Sequence, residues 1–326
     1  MPFHPTRRQM IAASGAFAST LLLPGLGRAQ NPVEVMEGRA FASHWRVSAP
    51  AGQGIEAHRA AIVSLLAGID AQMSPWRADS EVTRFNEGTG AESPVSAETA
   101  HVARAALDLA SASGGWFDPS VGPLVARWGF GPIRGSEAGD WRGLSVGDAS
   151  LGRDRPGLTM DLCGIAKGRA LDLVRTLLQD AGVADALVDL GGELGSLGRH
   201  PAGRDWRVAV EDPRPGNPGA AMGLRLPAGM AVATSGTRAQ SYALGGHRYG
   251  HIIAPRDGRP SEGRFASVSV LADSAMRADG WATALIAAGE AGLDLARAQG
   301  LPALFLAVEG DALRPVMTGD VDRYLL

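Results

Sequence analysis

In the stretch Met160–Asp172, read MDLCGIAKGRALD, an apolar extended run ends at Asp161 and a helical pattern begins within five residues. Ala170, Leu171, Val174, Leu177, Leu178 and Ala181 recur at the spacing of one helix face, and Gly182 stops the pattern. A strand, a glycine turn and a helix in that order set free backbone N–H groups and the positive helix end beside Gly164. No Cβ there blocks an approaching phosphate. A plainer reading stands next to it, in which Asp161 only caps the turn or helix.

Lysine use adds to the first reading. Lys and Arg total 31, and Lys167 is the single lysine of the chain. A sequence that has nearly abandoned lysine keeps one beside this turn, where a compact ammonium does what a planar guanidinium does poorly. Against this stands the bare statistical reading that one survivor must sit somewhere.

The 326 residues are 45% hydrophobic, enough for a full core in one large domain or two small ones. Residues 1–29 read separately: Thr6-Arg7-Arg8-Gln9-Met10 precedes an apolar run from Ile11 to Leu26 and then Gly27-Arg28-Ala29. This pattern predicts a twin-arginine export signal cleaved after Ala29, and a periplasmic mature protein. The run is short and broken by Pro24, which argues against a membrane anchor. No cysteine follows it to carry a lipid, and the sole cysteine, Cys163, leaves no disulfide within the chain. Losing residues 1–29 removes three arginines and no acids, so the formal net charge moves from -3 to -6 (28 minus 34). That mild acidity, without a basic block, argues against a nucleic-acid partner.

Along the mature chain the patterns predict a strand over 33–47, helices over 54–73 and 96–113, and a short helix capped by Ser80. Residues 116–131 place four aromatics among glycines and prolines near Asp118, too irregular for a regular element, and 132–157 reads as a polar surface excursion. Strands follow over 186–190, 206–210, 222–226, 230–234, within 248–260, 265–271 and 304–308, with a helix over 273–288. Strands before and after one helix, without strict alternation, predict an α+β fold of mixed or antiparallel sheets with packed helices. No linker splits 30–326.

Asp279 and Thr283 stand four apart on the last helix, so their oxygens project from one face about a turn apart. A carboxylate and a hydroxyl are donors that Mg²⁺ takes, with water and substrate phosphate completing the shell. Gly280 between them suggests a close backbone approach such as that of the Gly164 turn. From the residues alone, a solvated Asp279 and a Thr283 bonded back to its own helix serve equally.

Five stretches, MSPWRADSEVTRFN, WFDPSVGPLVARWGFG, MDLCGIAKG, ATSG with HIIAP, and ADGWATAL, occur in an order that resembles the ApbE-type FAD:protein FMN transferase family. The resemblance spans nearly all of 30–326 and implies a single ApbE-like domain. It implies a Mg²⁺-dependent enzyme that links the FMN half of FAD to a threonine or serine of an acceptor flavoprotein and releases AMP. By the same resemblance Asp161, Lys167, Trp76, Trp116, Phe117, Asp118, His251 and Ile253 contact FAD, as does Phe41 where the family often has Met. Gly164 through its carbonyl, Asp279, Ala282 and Thr283 form the metal site, and His251 is the candidate base, with a structural histidine as the competing role.

There are departures. Cys163 replaces a common Gly, Ser or Thr, Thr237-Arg238 stand where Asp and Tyr are frequent, and Ala254 replaces a frequent Asp; the last two bear on acceptor handling more than on FAD. Two rival readings share these residues: a Mg²⁺-dependent FAD diphosphatase with water as acceptor, and a flavin-binding protein without chemistry.

Overall fold

Eight strands lie side by side in the order in which the chain makes them: β1 (Val33–Ala40), β2 (Ser43–Pro50), β3 (Ala186–Leu190), β4 (Glu193–Leu197), β5 (Ala231–Gly236), β6 (Phe265–Ala272), β7 (Ala303–Glu309) and β8 (Ala312–Thr318). Every neighbouring pair is antiparallel. The structure is a computed structural model and describes residues 32–326 apart from 137–138, 215, 238–239 and 246. The proposed export signal and Arg238 lie outside the described residues.

Alternation along the strands assigns the two faces of the sheet. On β7, Ala303, Phe305 and Ala307 enter the main core while Leu304 and Leu306 enter a second one, as period-two side chains must. The second core is closed by a hairpin of Trp206–Glu211 with Ala220–Leu226 and by Val321 near the C-terminus.

Helices cover the main face. They are α1 (Arg59–Met73), α2 (Glu81–Glu87), α3 (Ala97–Ala112), α4 (Gly122–Arg127), α5 (Ala166–Asp180), α6 (Ala275–Ala287) and α7 (Ala291–Ala298). Ser80, Ser96 and Ser274 accept the N–H of Thr83, Thr99 and Arg277, capping α2, α3 and α6 as their sequences predict. Helix α5 packs on β3, β4, α1 and α6, and α6 packs on β4, β5 and β6, so these two helices share the middle of the sheet.

Their crossing is tight because of one glycine. A Cβ on Gly168 would stand 2.3 Å from the Ala275 carbonyl oxygen, so only glycine lets the N-terminal turn of α5 reach α6. Asp172 secures the contact from α5: its carboxylate accepts the N–H groups of Ala275 at 2.9 Å and Met276 at 3.0 Å and the Ser274 hydroxyl at 2.7 Å.

Several expectations need correction. The strand expected over 33–47 is two strands, because Phe41 and Ala42 take φ of 51° and 57° and reverse the chain without the Asn-Gly or Asp-Gly pair that marks such turns. The run before Asp161 is extended but unpaired. Leu158, Met160 and Leu162 are buried, and the Asn86 side chain clamps Met160 by bonds of 2.7 and 2.8 Å to its N–H and carbonyl. The 132–157 excursion holds strands Leu144–Val146 and Ser150–Arg153, which form a small sheet with Glu92–Pro94. The irregular 116–131 segment contains α4. Strands β4 and β8, the strand Ser241–Leu244 and helix α7 carried no clear sequence signal.

Candidate functional site

The N-terminal end of α5 is built by a turn that satisfies itself. Leu162 O accepts the N–H of Ile165 and of Ala166, while the Asp161 carboxylate accepts the Cys163 N–H at 2.9 Å. Asp161 therefore does cap the turn, and its own N–H reaches the Pro119 carbonyl at 2.6 Å, tying the turn to the aromatic segment. Burial pushes the Asp161 carboxyl above its ordinary pKa.

Helix α6 delivers the partners. The Thr283 hydroxyl lies 3.4 Å from the Gly164 carbonyl oxygen and 3.2 Å from the Ser235 hydroxyl at the end of β5. A Cβ on Gly164 would meet Thr283 at 3.0 Å and the Phe117 ring at 3.2 Å, so the turn is closed against both. One turn earlier on α6, Asp279 is 4% exposed and accepts the Gly168 N–H at 2.9 Å. Ala282 is fully buried between them. Gly280 answers a close approach as expected but to different groups, since a Cβ there would meet Leu109 at 2.5 Å and Ile165 at 3.4 Å rather than the Gly164 backbone.

Gly164 O and Thr283 Oγ1 thus lie together, and the Asp279 carboxylate, one turn away on α6, meets the first turn of α5. Among the described residues no group of three or more His, Cys, Asp or Glu side chains is spaced to hold a metal. One carboxylate with a hydroxyl and a carbonyl fits a hard cation such as Mg²⁺, which completes its shell with water and phosphate, and does not fit a soft one.

Lys167 projects from the first turn of α5, and its ammonium is held by Glu193 Oε1 at 2.6 Å. Glu193 is 3% exposed, and its Oε2 meets no hydrogen-bond donor among the described residues. Burial opposes the ammonium, but Glu193 and Asp279 outweigh it and raise the Lys167 pKa. The Asp279 pKa is raised as well, from a different balance of causes. Burial first, then the charge of Glu193, hold its carboxyl well above the usual carboxylate range, with Lys167 and the Gly168 N–H pulling partly back.

His251 is half-buried, with its backbone N–H on the Gln240 carbonyl at 3.0 Å and Nδ1 3.3 Å from the same oxygen. Burial, helped by the nearby Lys167 charge, lowers its pKa to about 4, so the ring is neutral at neutral pH. It ends an aromatic array in which Phe130 stacks on Tyr242 and Trp128 on Tyr249. Ile253, two residues on, is buried.

The expected flavin contacts divide by exposure. Trp76 is 63% exposed, so core packing does not account for it, while Phe117 at 4% is packed into the main core against the Gly164 turn. The Arg256 guanidinium lies 4.1 Å from the centre of the Trp116 ring and so covers one of its faces. Asp118 is buried, accepts both the Ser120 N–H and hydroxyl, and has its carboxyl pushed up by burial. Phe41 sits at the β1–β2 reversal, partly buried against the main core.

Glu193, Gly168, Ser235 and Arg256 were not singled out from sequence. The usable signal for Glu193 was a lone lysine that needs a counter-charge, and an acid that follows Gly191-Gly192 at a strand start.

Comparison with known proteins gives matches in both sequence and fold. The ApbE family profile matches residues 41–305. The FAD:protein FMN transferase of Salmonella typhimurium is 33% identical over 93% of this chain and 92% of its own length, and that of Vibrio cholerae is 34% identical over 95% and 98%. The solved flavin transferase ApbE from Vibrio cholerae superposes with a TM-score of 0.80 at 32% identity, over 90% of this chain and all of that one. The apo flavinyl transferase ApbE from Pseudomonas stutzeri gives 0.79 at 33% identity, over 90% and 97%.

Proposed function

The chain belongs to the ApbE family, and on that premise we propose that it transfers FMN from FAD to a threonine or serine hydroxyl of an acceptor flavoprotein, with Mg²⁺, releasing AMP. The observation that carries this reading is the contact of Thr283 Oγ1 with Gly164 O, with Asp279 on the Gly168 N–H and Lys167 at that same first turn of α5.

Attack on a diphosphate needs charge neutralised on the non-bridging oxygens and a hydroxyl held in line with phosphorus. Gly164, Thr283 and Asp279 would hold the cation, which neutralises phosphate charge when bound. Lys167 brings a second positive charge to the same turn. His251 supports the remaining role: its neutral ring can take the hydroxyl proton as the new P–O bond forms and the bond to AMP breaks.

Export by the twin-arginine route belongs to the same reading. It rests on Arg7-Arg8 and the small-residue end at Ala29. No helix among the described residues is long and apolar enough to cross a membrane.

One incubation tests the reaction. The protein, FAD, Mg²⁺ and an acceptor flavoprotein should yield protein-bound FMN and AMP. Free FMN with AMP would establish hydrolysis in place of transfer, and unchanged FAD would establish binding without chemistry.

A further inference from the structure

The ammonium of the single lysine is held by a carboxylate buried more deeply than itself. Glu193 pairs with Lys167 directly, Asp279 lies close enough for Glu193 to act on its charge, and Asp189, four residues before Glu193 on β3, feels the same carboxylate. A buried carboxylate oxygen without a donor is costly to leave so. Glu193 Oε2 is such an oxygen, on a side chain 3% exposed whose other oxygen holds Lys167, three residues along from Gly164.

The backbone explains why this acid is rigid. Glu193 opens β4 and pairs with Leu190 across a reversal made by Gly191 and Gly192, with φ of 67° and 103°. Asp189 Oδ1 accepts the Gly192 N–H at 3.1 Å and fixes the turn. Glu193 is therefore carried by the sheet, while Lys167, Gly164 and Asp279 are carried by the helices on it.

Resting on the flavin-transfer reading for its substrate, we propose that Glu193 is a positioning residue of this site: Oε1 fixes the Lys167 ammonium at the first turn of α5, and Oε2 accepts a hydrogen bond from a water that enters with the cation. Mg²⁺ sheds its waters reluctantly, so such a donor arrives with it. Outer groups of this kind tune affinity through the ligands they orient. A purely structural Glu193 would neutralise Lys167 and do nothing for the cation.

The two are separated by Glu193→Gln, which keeps shape and removes charge, and Glu193→Asp, which keeps charge and withdraws it by one methylene. Because Lys167 is the only lysine, ¹⁵N-lysine labelling gives one side-chain ammonium resonance, whose hydrogen exchange reports the ion pair directly. For Glu193→Gln we expect faster exchange at that resonance and roughly tenfold or more weaker Mg²⁺ binding by calorimetry without FAD. Transfer by Glu193→Asp should lose kcat with little change in the KM for FAD, so the proposal remains testable if the Gln variant does not fold. Unchanged Mg²⁺ affinity and an unchanged lysine resonance in the folded variants would overturn it, as would a rise in KM alone. Should the unaltered protein make no bound FMN, the transfer reading falls, while Mg²⁺ affinity and the lysine resonance still decide the role of Glu193.

Discussion

Asp279 has two tasks, which different substitutions separate. Its Oδ2 caps the first turn of α5 through Gly168 N–H, and its charge belongs to the proposed cation site. Asp279→Asn can still accept that N–H, so it should melt like the unaltered protein yet lose Mg²⁺ binding and FMN transfer. Asp279→Ala should lose the cap too, lowering stability by about 1 kcal/mol. Thr283→Ala removes a neutral donor only, so excess Mg²⁺ should rescue its transfer rate better than that of either Asp279 variant. His251 makes a second residue-scale prediction. Its pKa falls to about 4, below the unfolded value near 6.5, so the neutral form that the fold favours is populated above that range. The stability it contributes is present above pH 6.5 and lost as pH drops towards 4. Transfer should therefore stay level from about pH 5.5 to 8 as far as His251 is concerned, and His251→Asn should slow it by about 10²- to 10⁴-fold across that range. A pH–rate profile of both proteins checks this, an acid limb centred near 6.5 being the contrary result.

Between elements, the α5–α6 crossing decides whether the donors meet at all. Gly168→Ala would press a methyl to within 2.3 Å of the Ala275 carbonyl oxygen, so the helices must part. We expect a loss of about 1–3 kcal/mol in urea unfolding, as for other overpacked contacts. Mg²⁺ affinity should fall with it, because Gly164 and Thr283 ride on opposite sides of the crossing. Sequence reading reached the parts of this assembly unevenly. The caps at Ser80, Ser96 and Ser274 and the i, i+4 pair on α6 were legible because they are local, written within one or two turns. Glu193 was not, because its partner is 26 residues away and reached through a sheet register that no local pattern encodes. The β1–β2 reversal was hidden for another reason: Phe41 and Ala42 adopt positive φ without the residues that advertise it. Nor could the apolar pattern distinguish the clamped run before Asp161 from a strand, since a buried extended run reads alike whether a ladder or an asparagine amide holds the backbone.

For the whole molecule, the proposed export raises the question whether the chain that would be carried across is already the finished fold. Cys163 is its only cysteine, so no intramolecular disulfide waits on an oxidising compartment. The cores on both faces of the sheet are instead closed by hydrophobic burial, and the C-terminal end takes part, with Val321 in the second core and Leu326 N–H on the Gly223 carbonyl. At the other end, the first of the described residues, Pro32, is tied to the sheet by its carbonyl, which accepts the Ala51 N–H at 2.9 Å. Cleavage after Ala29 would remove chain up to that point without breaking a ladder bond of β1, which begins at Val33. The exported protein should therefore begin at or near Gln30, by N-terminal sequencing, and melt at the same temperature as the full-length chain, with or without reductant. Arg7→Lys with Arg8→Lys should hold the uncleaved protein in the cytoplasm, folded and able to bind FAD, because every residue assigned to the site falls between Phe41 and Thr283. Export undiminished in that double variant, or a mature form that keeps residues 1–29, would remove the twin-arginine assignment and leave the account of the fold and its site standing.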